Sequence, residues 1–150
     1  MKHTAVLVVG VALLTVGLTA QQKPDFSGRW VILAPAEGAG SEQIVVHDLK
    51  ANTLTLSHDS EGHGHKLVHK LDGTEHRNAL ASHGSEIVIL SKAQWTGNQI
   101  TINSVATYPD GKRMESKHTW AIDASGQLII EVTDTVDGKT TTARAVHKKR

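Results

Sequence analysis

The chain has 150 residues, with 16 Lys and Arg against 15 Asp and Glu, and no cysteine. This balance lacks the basic excess that a nucleic-acid or anionic-membrane partner demands. Without cysteine there are no disulfides, and a core must hold the fold alone.

Lys2 and His3 precede an apolar run, Ala5 to Leu18, followed by small residues up to Ala20 and then polar Gln21-Gln22. That is the layout of a secretory signal peptide over residues 1–20. The run is too short to serve as a membrane anchor, which needs about 20 apolar residues. Cleavage after Ala20 leaves one domain, residues 21–150, large enough to bury about two-thirds of its unfolded surface. It also removes Lys2 and no acid, so the mature domain carries no net charge with histidine neutral. Small secreted eukaryotic domains are usually disulfide-dense. A cysteine-free exported domain therefore fits a bacterial periplasmic or extracellular protein, and we expect a monomer without stable membrane insertion.

Beyond residue 21 no stretch keeps a helical period. Period-two alternation dominates, with turn signals every 8 to 12 residues or so. The predicted strands are 28–34, 43–48, 52–58, 65–71, 74–78, 86–96, 99–108, 112–123, 127–136 and 139–147. Segments 34–41 and 58–64 read as loops.

Three turns set registers for the second half. Gly97-Asn98 suits a two-residue hairpin and pairs Trp95 with Ile100. Pro109-Asp110-Gly111 suits a type I turn closed by a left-handed glycine and pairs Ala106 with Met114. Ala124-Ser125-Gly126 has the same form and pairs Trp120 with Ile130. These registers agree with the hydrophobic alternation on every strand, whereas a one-residue slip would split the apolar set between two faces. One face then stacks in layers. They are Trp95, Ile100, Trp120 and Ile130; Ala93, Ile102, His118 and Val132; Ser91, Ser104, Ser116 and Asp134; and Ile89, Ala106, Met114 and Val136. Such a one-sided meander predicts an all-β, antiparallel up-and-down barrel of about eight to ten strands.

The last hairpin has two solutions. A two-residue turn at Asp137-Gly138 points Thr141, Ala143 and Ala145 inward. A three-residue loop from Val136 points Thr142, Arg144 and Val146 inward.

Gly28-Arg29-Trp30 resembles the opening signature of the calycins, the superfamily of lipocalins, fatty-acid-binding proteins and avidins. The resemblance implies a lipocalin-like barrel whose Trp30 closes one end under a basic residue of the last strand. Arg144 is the matching position, which favours the three-residue loop. The set Asp25-Phe26-Ser27-Gly28-x-Trp30, Leu71-Asp72-Gly73-x-Glu75-x-x-Asn78, Trp95-x-Gly97-Asn98 and Thr119-Trp120 is similar to a group of small exported bacterial proteins. That likeness implies fold and export and carries over no catalytic residues.

Two constellations carry chemistry. The first is the polar layer Ser91, Ser104, Ser116 and Asp134 beside His118. Small residues at mid-barrel leave space, and a buried Asp or His needs partners. The layer reads as a pocket for a small-molecule ligand or as a filled core whose groups satisfy one another. A catalytic triad of Ser116, His118 and Asp134 has poor geometry, because the first two sit two apart on one strand. With one Phe and one Tyr in the chain, the interior lacks the aromatic wall of a large lipid pocket.

The second constellation is histidine-rich: His58, His63, His65, His69, His76 and His83. A type I′ turn at Asp72-Gly73 pairs His69 with His76, at a separation that two ligands of one metal can share. His63, His65, His69 and His76 are therefore candidate ligands for Zn or Cu, on composition and without a motif of fixed spacing. No other cofactor is implied. The sequence thus predicts a non-enzymatic, small-molecule-binding barrel. A divalent-metal module or a filled barrel that docks a protein are the alternatives.

Overall fold

The computed structural model describes residues 23–34, 42–48, 50–58, 65–82 and 84–150. The predicted signal peptide, His63 and His83 lie outside them. Ten strands follow one another: β1 (Gly28–Ala34), β2 (Glu42–Asp48), β3 (Thr53–His58), β4 (His65–Lys70), β5 (Asp72–Ser82), β6 (Ser85–Thr96), β7 (Gln99–Thr107), β8 (Arg113–Ile122), β9 (Leu128–Val136) and β10 (Lys139–Lys149). They form one antiparallel sheet in the order β4-β3-β2-β1-β10-β9-β8-β7-β6-β5. Pairing of β1 with β10 bends this meander into a nearly closed, lipocalin-like barrel.

The meander from β6 to β9 follows its turns. Trp95 pairs with Ile100, Ala106 with Met114, and Trp120 with Ile130, so all four predicted layers form. The reason lies in the loops. Gly111 and Gly126 adopt positive φ, and each donates its amide to the carbonyl three residues back, at 2.9 and 3.0 Å. The Asp123 carboxylate accepts the amides of Ser125 and Gln127, both at 2.9 Å. Each turn therefore satisfies its own polar groups and holds its register.

The last hairpin takes the other solution from the one the resemblance favoured. Lys139 pairs with Val136 across a two-residue turn. Asp137 and Gly138 both adopt positive φ, 50° and 75°, which is the type I′ requirement. Thr141, Ala143 and Ala145 therefore face inward with Asp134, Val132 and Ile130. Arg144 faces out, 3.8 Å from Glu131. Lys149 takes the role expected of Arg144, with its ammonium 5.5 Å from the Trp30 ring centre. Gly28 makes room for it. A Cβ there would stand 2.5 Å from Lys149 Cε, and the φ of 147° disfavours any side chain.

The barrel closes by ladder everywhere except between β4 and β5. There the Asn78 side chain does the pairing. Its Oδ1 accepts the Val68 amide at 2.8 Å, and its Nδ2 donates to the Val68 carbonyl at 2.9 Å. The amide group imitates a strand partner, so both Val68 backbone groups are satisfied. The type I′ hairpin expected at Asp72-Gly73 does not form. Asp72 pairs instead with Gln94 on β6, and a register shift follows before Glu75. Hence His69 and His76 are not ladder partners.

One end of the barrel is packed solid. The segment before β1 tucks Phe26 inside, fully buried beside Trp30, Trp120, Ile100 and Leu128. Trp30 Nε1 donates to the Phe26 carbonyl at 2.9 Å. Phe26 lies 6.0 Å from Trp95 and 6.4 Å from Trp120, in tilted and edge-on contacts. Lys23 sits over the outer side of Trp95, 4.7 Å from its centre. Trp95 and Trp120 thus close an end, as their shared layer predicts.

Candidate functional site

Above this plug the inner face becomes small and polar. Ser91, Ser104, Ser116, Asp134 and Thr141 form one continuous row across β6 to β10. Ser116 donates its hydroxyl to Asp134 Oδ1 at 2.6 Å. His118 stands one layer below, between Ile102 and Val132. All five predicted ligand residues therefore share the interior.

His69 joins them. It is buried, and its Nδ1 lies 3.0 Å from Ser91 Oγ. Burial, reinforced by repulsion from His118 and His76, pushes its pKa down to about 4. His118 is also held below the usual histidine range by burial, although Asp134 pulls the other way. Both imidazoles are therefore neutral at pH 7. His76 pairs with Ser91 and so projects to the same side.

The candidate metal ligands scatter. His65 is exposed on β4, His69 is engaged with Ser91, His76 lies across the unpaired seam, and His63 is outside the described residues. Among the described residues no three His, Asp or Glu side chains converge as a metal would require.

A second buried histidine serves the plug. His47 packs 5.5 Å from Trp95, receives the Phe26 amide at 3.4 Å and lies 3.6 Å from Asp25. Burial lowers its pKa, and Asp25 only partly offsets this.

The polar row is reached by solvent. Thr141 and Ala143 are exposed although they pair with inward-facing Asp134 and Val132. Ser104, His118, Val132 and Asp134 keep partial exposure on the same face. Thr141 and Ala143 precede Val146, the first β10 residue that pairs with β1, so this wall is open where β10 has no β1 partner among the described residues. Small residues on all sides of the row leave room beside it, and a barrel of about eight strands or more can house one small ligand.

A groove of about 540 Å³ lies over β5 to β9, bordered by Glu75, Lys92, Lys117 and Thr133, with Leu90 and Val105 between them, and it also touches Ser104 and Ser116 of the polar row. Another recess, about 660 Å³, runs between the turns at Asp110-Gly111 and Asp137-Gly138. Both open directly to solvent.

Period-two reading of 65–70 already puts His65, Leu67 and His69 on one face, and this was the available signal for an inward His69. Asn78 left no such trace, because its role depends on a strand partner that local sequence does not name, whereas the two-residue turn at Asp137-Gly138 already pointed Thr141 inward.

No model of a known protein family matches the chain, and no curated protein matches its sequence. Solved structures do share its shape. One is secretory abundant heat soluble protein 4 from Ramazzottius varieornatus, with a TM-score of 0.53 and 13% identity over 87% of this chain and 99% of that one. Another is the REP1-NXSQ fatty acid transporter, with a TM-score of 0.54 and 11% identity over 83% of this chain and 95% of that one. At such identities the likeness concerns the fold, and it agrees with a lipocalin-like barrel.

Proposed function

We propose that this chain is an exported, monomeric, small-molecule-binding barrel that holds its ligand without transforming it. The wet inner wall carries the reading: Thr141 and Ala143 are exposed on the face they share with Asp134 and Val132. Ser91, Ser104, Ser116, His118 and Asp134 form the polar side of the site, with His69 completing it. The description of one similar structure as a fatty acid transporter supports a binding role for a barrel of this shape. The leader-like segment before Gln21 supports export. Ser116 gives its hydrogen bond to Asp134, so its proton is directed at a carboxylate and not at an imidazole base. That arrangement supports binding over nucleophilic catalysis.

Nile red, a neutral apolar fluorophore, tests the reading. The wild-type protein should bind it with a saturable rise in emission. Ala143→Trp fills the interior from β10 and should weaken binding at least tenfold. Thr142→Trp, one residue along and facing out, should leave it unchanged. Absence of saturable binding, or equal effects of the two substitutions, overturns the proposal.

A further inference from the structure

We infer that the ligand of this barrel is a small amphiphilic amine, whose ammonium rests on Asp134 while its apolar body lies against Ile102, Val132 and Ala106. The inference rests on the binding reading above and adds the charge of the ligand.

The distribution of formal charge leads to it. Among the described residues every Lys and Arg is exposed, and so is every Asp and Glu whose exposure is described, except Asp134. Among the described residues Asp134 is therefore the one carboxylate turned toward the interior, and no Lys or Arg among them answers it there. A carboxylate ligand would meet like charge without a counter-ion, and an interior of reduced dielectric makes that mismatch count. His69 and His118 do not supply one at neutral pH, since burial holds both below the usual histidine range.

The hydrogen-bond inventory points the same way. Asp134 uses Oδ1 to accept the Ser116 hydroxyl, and among the described residues Oδ2 accepts nothing. The hydroxyls of Ser104 and Thr141 lie in the same row. An ammonium has three donors to place; the free carboxylate oxygen can receive one and the Thr141 hydroxyl, directly across the ladder from Asp134, another. Directly below the row lie Ile102 and Val132, and above it Ala106 and Met114, which give an alkyl body apolar contacts. The site thus has the charge sign and acceptors for an amine head and the apolar walls for a short tail.

Three probes that differ only in the head group test this: decylamine, decanol and decanoate, each titrated calorimetrically into the full-length mature protein at pH 7.5 below its aggregation threshold. Decylamine should bind at least tenfold more tightly than decanoate, with decanol between them. Asp134→Asn keeps the shape and removes the charge, and should bring the amine and the acid within about threefold of each other. Should that variant lose its near-ultraviolet circular dichroism, Ser116→Ala, which leaves the carboxylate in place, should retain the amine preference. A wild-type preference for decanoate, or a ratio unmoved by Asp134→Asn in the folded variant, overturns the amine assignment while leaving a binding barrel. Failure of all three probes to bind overturns both.

Discussion

The two ends of the same sheet behave oppositely. At one end Phe26, Trp30, Trp120 and Ile100 are excluded from solvent. Two to three layers away, side chains on that same inner face remain wet. The backbone is equally regular in both places, so the contrast comes from side-chain size. Large aromatics with a plugging segment fill the barrel, whereas Ser, Ala and Thr do not. The buried aromatics are therefore gathered in the plug, and the polar row is left partly exposed.

The contrast can be broken most strongly at Trp30. Trp30→Ala removes a buried indole, its bond to the Phe26 carbonyl and the seat of Lys149, and should cost about 3–5 kcal/mol in denaturant unfolding. A cost near that of a surface change would mean that the plug is not the stabilising end.

Acid should sharpen the contrast from the polar side. His69 has a folded pKa of about 4 against an ordinary 6.5, so the unfolded chain binds more protons between these values. Stability contributed by this group is full above pH 6.5 and declines as pH falls toward 4, by on the order of 2–3 kcal/mol. His69→Gln should flatten that slope in urea titrations at stepped pH, and an unchanged slope would refute the assignment.

The seam comes next. Asn78→Ala leaves the Val68 amide and carbonyl without partners, at a cost of about 1–3 kcal/mol, and should speed hydrogen exchange at the Val68 amide ahead of the plug amides. Uniform exchange along β4 and β6 would show that the side chain does not hold the gap. The smallest effect belongs to Arg144→Ala. Its pair with Glu131 is exposed on both sides, so the loss should stay under about 0.5 kcal/mol, whereas a residue packed across Trp30 would cost several times more.

Much of this fold was legible beforehand because its strongest signals are local. The turns at Gly97-Asn98, Pro109–Gly111 and Ala124–Gly126 each determine a register within a few residues, and period-two alternation then assigns every side chain from Ile89 to Val136 to a face. The polar row with His118 followed from the same logic. The Asp137-Gly138 turn was equally local, yet a family expectation for Arg144 outweighed its type I′ chemistry.

What only the tertiary structure decided involves partners far apart in the chain. The pairing of β1 with β10 set Lys149 over Trp30 and gave Gly28 its purpose. The unpaired seam between β4 and β5 turned Asn78 into a strand substitute and sent His69 to Ser91 in place of His76. Barrel closure couples these contacts, and no short window of sequence contains both sides of any of them. The chain by itself determined which residues line the inside. Closure decided which of them are packed, which are paired and which are left facing water.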